Sequence, residues 1–120
     1  MPRDGQTIPD DSVILPDLLA LTGAAVAPAE ALLATATERL RAELSVDGRV
    51  SGALLEANQT AAHGLAWLAT YVESLRQMHA WAERLNGEDK FGEVEQLILQ
   101  IGVGEYLWQI YGGIPMSQNE

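Results

Sequence analysis

The chain has 120 residues, 48% of them hydrophobic, no cysteine, and seventeen acidic against seven basic side chains, a formal charge of −10. That length suits one domain with a core of its own, and the missing thiols exclude disulfides and thiolate metal sites. A surface this acidic repels phosphate backbones and anionic lipid, so neither nucleic acid nor a membrane is expected as a partner. With no basic-then-apolar leader and no stretch approaching about 18 apolar residues, the expectation is a cytoplasmic protein or part of one.

Residues 1–14 bring together two prolines, a glycine and three aspartates and read as a flexible acidic tail. The helical domain is expected over residues 15–113. Its first helix, about residues 16–44, follows from Leu19, Thr22, Val26, Ala29, Leu33, Ala36 and Leu40 recurring at steps of three and four. Pro16 suits a first helical turn, but the ring of Pro28 crowds the carbonyl of Ala24 inside the pattern. A kink near Ala27 is expected, with two separate helices as the alternative; the unbroken phase of the stripe favours the kinked single helix. Asp47-Gly48 marks a turn in the link that follows, and the arms on either side look too short to stand as strands.

The second helix, about residues 52–86, carries a heptad seam of Leu54, Asn58, Ala61, Leu65, Leu68, Val72, Leu75, His79 and Ala82. Leu55, Ala62 and Ala69 flank it on one side, and Ala57, Gly64, Tyr71, Met78 and Leu85 on the other, with Trp67 and Trp81 beyond. The apolar arc is therefore roughly twice the ~100° stripe of an ordinary surface helix. Such a helix belongs in the middle, packed on two sides. Ser51 is its expected N-cap and Asn86-Gly87 its stop.

Glu88-Asp89 reads as the start of the third helix, about residues 90–111, which is marked by the apolar row Val94, Leu97, Ile98, Ile101, Trp108 and Tyr111. Gly102 and Gly104 interrupt it, either for close approach of a neighbour or as a hinge. Short links between long helices give the expected fold: all-α, an up-down-up antiparallel three-helix bundle with a long central helix.

No catalytic, cofactor-binding or metal site emerges from the residues. His79 reads as a neutral imidazole hydrogen-bonded to a helix neighbour, and His63 as solvated. Neither has the Glu-x-x-His spacing of carboxylate di-metal bundles, because Thr60 and Arg76 occupy the positions three before them. Asn58 on the seam reads as a buried polar residue that sets register, or as a ligand contact. A pocket lined by Asn58, Tyr71 and His79 is a further option. Glu105, on the apolar side between Ile101 and Trp108, has three readings: a pair with Arg76, a reach to the edge, or a contact with another domain. Three helices cannot easily bury Trp67, Tyr71, Trp81, Tyr106, Trp108 and Tyr111 together, so these six are the interface candidates.

Two stretches carry a resemblance. One runs Asn58-Gln59-Thr60-Ala61-Ala62-His63-Gly64-Leu65-Ala66-Trp67-Leu68-Ala69-Thr70-Tyr71-Val72-Glu73. The other is Ile101-Gly102-Val103-Gly104-Glu105-Tyr106-Leu107 followed by Gly112-Gly113-Ile114-Pro115-Met116-Ser117-Gln118. Together they resemble the N-terminal helical extension of the methylsuccinyl-CoA dehydrogenase family, in the flavin-dependent acyl-CoA dehydrogenase superfamily. The resemblance implies a parent enzyme that oxidises an acyl-CoA thioester, with FAD taking the hydride and an electron-transfer flavoprotein as acceptor. It also implies that residues 114–120 lead to a catalytic body outside this sequence. No motif of that chemistry has a counterpart here, so no catalytic residue carries over. The expected role is a helical docking module whose partner is the catalytic body of such an enzyme; the alternative is a stand-alone interaction protein that pairs with a second copy of itself.

Overall fold

The structure, a computed structural model, describes residues 13–114. The acidic tail expected up to residue 12 and the extension from residue 115 onward lie outside the described residues. The elements in order are α1 (Leu18–Leu44), β1 (Ser45–Val46), β2 (Arg49–Val50), α2 (Gly52–Ala57), α3 (Gln59–Gly87) and α4 (Glu93–Tyr111). Among the described residues the chain is helical apart from one small hairpin and the links.

Helix α1 begins at Leu18 rather than residue 16, because Asp17 before it is left-handed with φ 58°. It then runs without a break through Pro28. Both Pro28 and Ala24 lie on the exposed side, where water can satisfy the carbonyl that the proline leaves without its N–H. By length and apolar count α1 could cross a membrane, which corrects the reading that no stretch comes close. Alanine and leucine supply most of that count. Within the fold Thr22 and Ala29 are buried and Glu30 is ion-paired to α3, as expected of a packed helix.

The link after α1 overturns the expectation that its arms cannot be strands. Ser45 pairs with Val50 and Val46 with Arg49 in antiparallel register. Asp47 (φ 54°) and Gly48 (φ 80°) are both left-handed, which gives a two-residue turn whose twist matches that of the strands. The N–H of Ser51 then donates to the Leu44 carbonyl at 2.8 Å, and the Ser51 hydroxyl caps α2 by accepting from the Leu54 N–H at 3.2 Å, as expected.

The single long second helix is divided at Asn58 (φ −124°, ψ 35°) into α2 and α3. The Asn58 amide nitrogen donates to the Leu54 carbonyl at 2.8 Å, taking the acceptor that an unbroken helix would offer the Asn58 N–H. That N–H turns instead to the Leu55 carbonyl at 3.1 Å. A short polar side chain has thus replaced one turn of backbone pairing.

Glu88-Asp89 ends α3 and does not start α4. Asp89 is left-handed (φ 58°), its N–H reaches the Asn86 carbonyl, and the Lys90 N–H reaches the Leu85 carbonyl at 2.8 Å. This is a Schellman stop with aspartate where glycine is usual. Helix α4 therefore starts at Glu93 instead of residue 90, with Glu93 and Glu95 in its first turn near the positive end of the dipole. The same motif ends α4: Gly113 (φ 86°) donates to the Ile110 carbonyl and the Ile114 N–H to that of Gln109, and Ile114 is buried.

Helix α3 packs against α1 on one side and α4 on the other. Thr22 meets His79 and Glu30 meets Arg76, while Gly102 meets Met78 and Tyr106 meets Tyr71. Rising numbers on α1 and α4 oppose falling numbers on α3, so both neighbours run antiparallel to it. Leu68, Tyr71, Val72, Leu75 and Ala82 of α3, with Leu99 and Val103 of α4 and Leu18 and Ala29 of α1, form the core. Gln100 of α4 ties down the lead into α1, accepting from the Leu15 N–H at 2.8 Å and donating to the Val13 carbonyl at 2.6 Å.

The arrangement is an open layer of 68 × 28 × 18 Å instead of a compact bundle. Its radius of gyration is 19.1 Å, against about 13 Å for a compact chain near this length. Helix α4 has 19 residues beside the 29 of α3 and accompanies only the later part of it. In the remaining arm α2 has no buried residue, α3 has none before Leu68, and α1 has none between Ala29 and Leu44.

Candidate functional site

Helix α4 turns most of the row that marks it in the sequence toward water: Val94 is 63% exposed, Ile98 53%, Ile101 69%, Trp108 70% and Tyr111 87%, and of that row Leu97 alone is half-buried. The residues turned to α3 are Leu99 and Val103, with Tyr106, Leu107 and Ile110 packed beside them. Helix α4 is apolar on both sides, so its periodicity supports two opposite seams. Partner side chains on α3 help to choose between them. Met78 is one: its sulfur lies 2.7 Å from where a β-carbon on Gly102 would stand, which fits the close-approach reading of that glycine. Gly104 has open space around it.

The outward row Val94, Ile98, Ile101, Trp108 and Tyr111 is the candidate functional surface. Beside it a cleft of about 280 Å³ opens between α3 and α4, lined by Gln77, Met78, Trp81, Ile98 and Leu99. Trp108 and Tyr111 lie 6.4 Å apart, ring centre to ring centre. Of the other aromatic interface candidates, Tyr71 is buried in the core, whereas Trp67, Trp81 and Tyr106 are half-buried. Trp67, Tyr71 and Tyr106 form a ladder from α3 to α4 with ring centres 5.7 and 4.9 Å apart. Sequence reasoning named Trp108 and Tyr111 as interface candidates but not Val94, Ile98 and Ile101, which share their row. The signal that could have found them was Glu105 in their midst.

Glu105 does not reach Arg76. It is exposed, and its carboxylate accepts from the Gln109 amide at 3.1 Å. Arg76 is engaged by Glu30 of α1 at 2.7 Å and by Glu73 of its own helix. The bond from Glu30, helped by Glu73, raises the Arg76 guanidinium further above its usual value. The Gln77 amide donating at 2.7 Å, with Arg76 alongside, holds the Glu73 carboxyl below its usual range.

Asn58, Tyr71 and His79 are not brought together. From Asn58 to His79 along the chain is about 31 Å of helix at 1.5 Å per residue, and the three side chains address different neighbours. Asn58 bonds its own preceding turn, and Tyr71 faces Tyr106. His79 faces α1, with Nδ1 3.2 Å from the Thr22 hydroxyl, and its Nε2 is 3.4 Å from Glu83. The hydrogen bond of His79 runs across the helix interface to Thr22, with Glu83 of its own helix nearby. His63, read as solvated, is exposed and accepts from the Trp67 indole N–H at 2.9 Å. Among the described residues no group of three or more His, Cys, Asp or Glu is placed to hold a metal ion.

These features define a thin helical layer with a core on one side of α4 and bare apolar surface on the other. No family model matches the chain. Among curated proteins, (2S)-methylsuccinyl-CoA dehydrogenase of Cereibacter sphaeroides is 60% identical to it over 107 residues, which is 89% of this chain and 20% of that enzyme. The resemblance read from the sequence is borne out at that level. The chain spans about a fifth of the length of the relative it matches.

Proposed function

We propose that this chain is a helical accessory module of an acyl-CoA dehydrogenase similar to methylsuccinyl-CoA dehydrogenase, and that it docks through the outward face of α4. The observation that carries this reading is the exposed row from Val94 to Tyr111 in a chain so similar to one segment of a much longer enzyme. Water-facing Ile101 and Trp108 contribute nothing to the core they sit behind, but covered by a catalytic body they would become buried anchors. The parent would hold FAD and carry out the oxidation in that body, while the module adds buried area and shapes its surroundings.

The test is a chimera in which this chain replaces the matching segment of the Cereibacter enzyme. Trp108→Ala and Ile101→Ala together should lower the melting temperature and flavin retention of the chimera while leaving the melting of the isolated chain unchanged. A chimera indifferent to both substitutions in stability, flavin content and turnover would overturn docking through this face. Pairing of two copies through α4 is the competing outcome, read from the sedimentation of the isolated chain.

A further inference from the structure

The occupant of the α4 face can be specified by charge. Helix α4 carries three carboxylates, Glu93, Glu95 and Glu105, and no lysine, arginine or histidine. Among the described residues none of the three is ion-paired: Arg41, Arg76 and Lys90 are engaged elsewhere, by Glu38, by Glu30 and Glu73, and by Glu88, and no ion pair joins Arg39, Arg49 or Arg84 to α4. Glu105 is the most telling. It stands in the outward row four residues after Ile101 and three before Trp108, which are 69% and 70% exposed, and it accepts a hydrogen bond from the neutral Gln109 amide.

A partner that seals over both Ile101 and Trp108 must also cover the carboxylate between them. Withdrawing an ionised carboxylate from water without a counter-charge is costly, and a neutral amide does not offset it. A second copy cannot supply the missing charge through the same helix, since pairing α4 with α4 gathers six carboxylates and no cation. Like charges brought together at an interface select against that pairing.

We infer that the α4 face docks a different protein surface, an apolar one that sets an arginine or lysine opposite Glu105, and that Glu105 prevents the face from pairing with a second copy. This rests on the docking reading above and names the chemistry of the partner. The planar fork of an arginine, able to hold a carboxylate by two hydrogen bonds, fits the position best.

Two measurements test it. In sedimentation the wild-type chain should remain at its monomer mass, whereas Glu105→Leu, which makes the row continuous, should self-associate at least about tenfold more tightly. In the chimera, Glu105→Lys should lower the melting temperature, with a smaller loss for Glu105→Gln and a wild-type deficit that narrows at high salt. Wild-type chain that dimerises through α4, shown by loss of the dimer in Trp108→Ala, would overturn the inference. So would a chimera that is destabilised by Trp108→Ala but unaffected by Glu105→Lys; that result would leave docking intact and remove only the cation. A chimera unaffected by either would remove docking itself.

Discussion

The imidazole of His79 fills the space that a β-carbon on Gly23 would need, with Cε1 2.8 Å and Nε2 2.9 Å from that point. Glycine at position 23 is what lets α1 and α3 approach closely enough for Thr22 and His79 to meet at 3.2 Å. In a helix interior, alanine for glycine gains about 1 kcal/mol of propensity, whereas forcing a packed ring aside costs about 1–3 kcal/mol. Gly23→Ala should therefore destabilise the wild-type chain by about 1 kcal/mol, and in a His79→Ala background the same substitution should stabilise by about 1 kcal/mol. Urea unfolding of the four proteins checks the reversal of sign. A Gly23→Ala effect that is the same in both backgrounds would sink the packing account.

Gly104 gives the contrasting case. A β-carbon there meets nothing within 4 Å, and the residue lies on the exposed side of α4. Gly104→Ala should stabilise the chain by about 1 kcal/mol through propensity and a less free unfolded state. Gly102→Ala should gain less, because the Met78 thioether must swing away first. Thermal unfolding of both variants settles the order. If Gly104 were a working hinge, the alanine variant would also alter any partner binding, which a binding comparison with wild type would reveal.

What the sequence made legible follows from which residues have one solution and which have two. The α1 stripe through Thr22 and Ala29 is amphipathic, with Arg39, Arg41 and Glu43 kept outside, so its inward face was readable. Helix α3 was readable as central because it is apolar over too wide an arc for one neighbour. In α4 the rows through Ile101 and through Leu99 are equally regular, and periodicity cannot rank them. The tie-breaker was chemical: a carboxylate with no cation in its helix belongs on the water side, so Glu105 marks its row as the outer one. The break at Asn58 and the stop at Asp89 were hidden for another reason. Both arise from a single short side chain or one left-handed residue, a local competition that a seam pattern does not register.

The Glu30, Arg76 and Glu73 cluster predicts a direction with pH. Glu73 in the folded chain is held below its ordinary value by the Gln77 amide and by Arg76. A carboxyl lowered in the folded state contributes stability that is present above its unfolded value and is lost as pH falls through the folded one. The chain should thus lose stability on acidification through the carboxylate range, and Glu73→Gln should flatten that part of the profile. Following Glu73 by carbon-detected NMR titration checks the premise directly. A Glu73 midpoint at or above the ordinary glutamate value would contradict it.

The orientation of α4 is open to a direct comparison between two aliphatic side chains two residues apart. Leu99 is fully buried and Ile101 is 69% exposed, although the sequence pattern alone does not rank their two rows. Leu99→Ala should cost about 2–5 kcal/mol, as the loss of a packed core side chain does. Ile101→Ala should stay within about 0.5 kcal/mol of wild type in the isolated chain. Denaturant unfolding of the two variants decides it, with circular dichroism confirming that each still folds. The reverse ranking would mean that the Ile101 side of α4 packs on α3, and it would leave Trp108 and Tyr111 without the exposed apolar row on which docking depends.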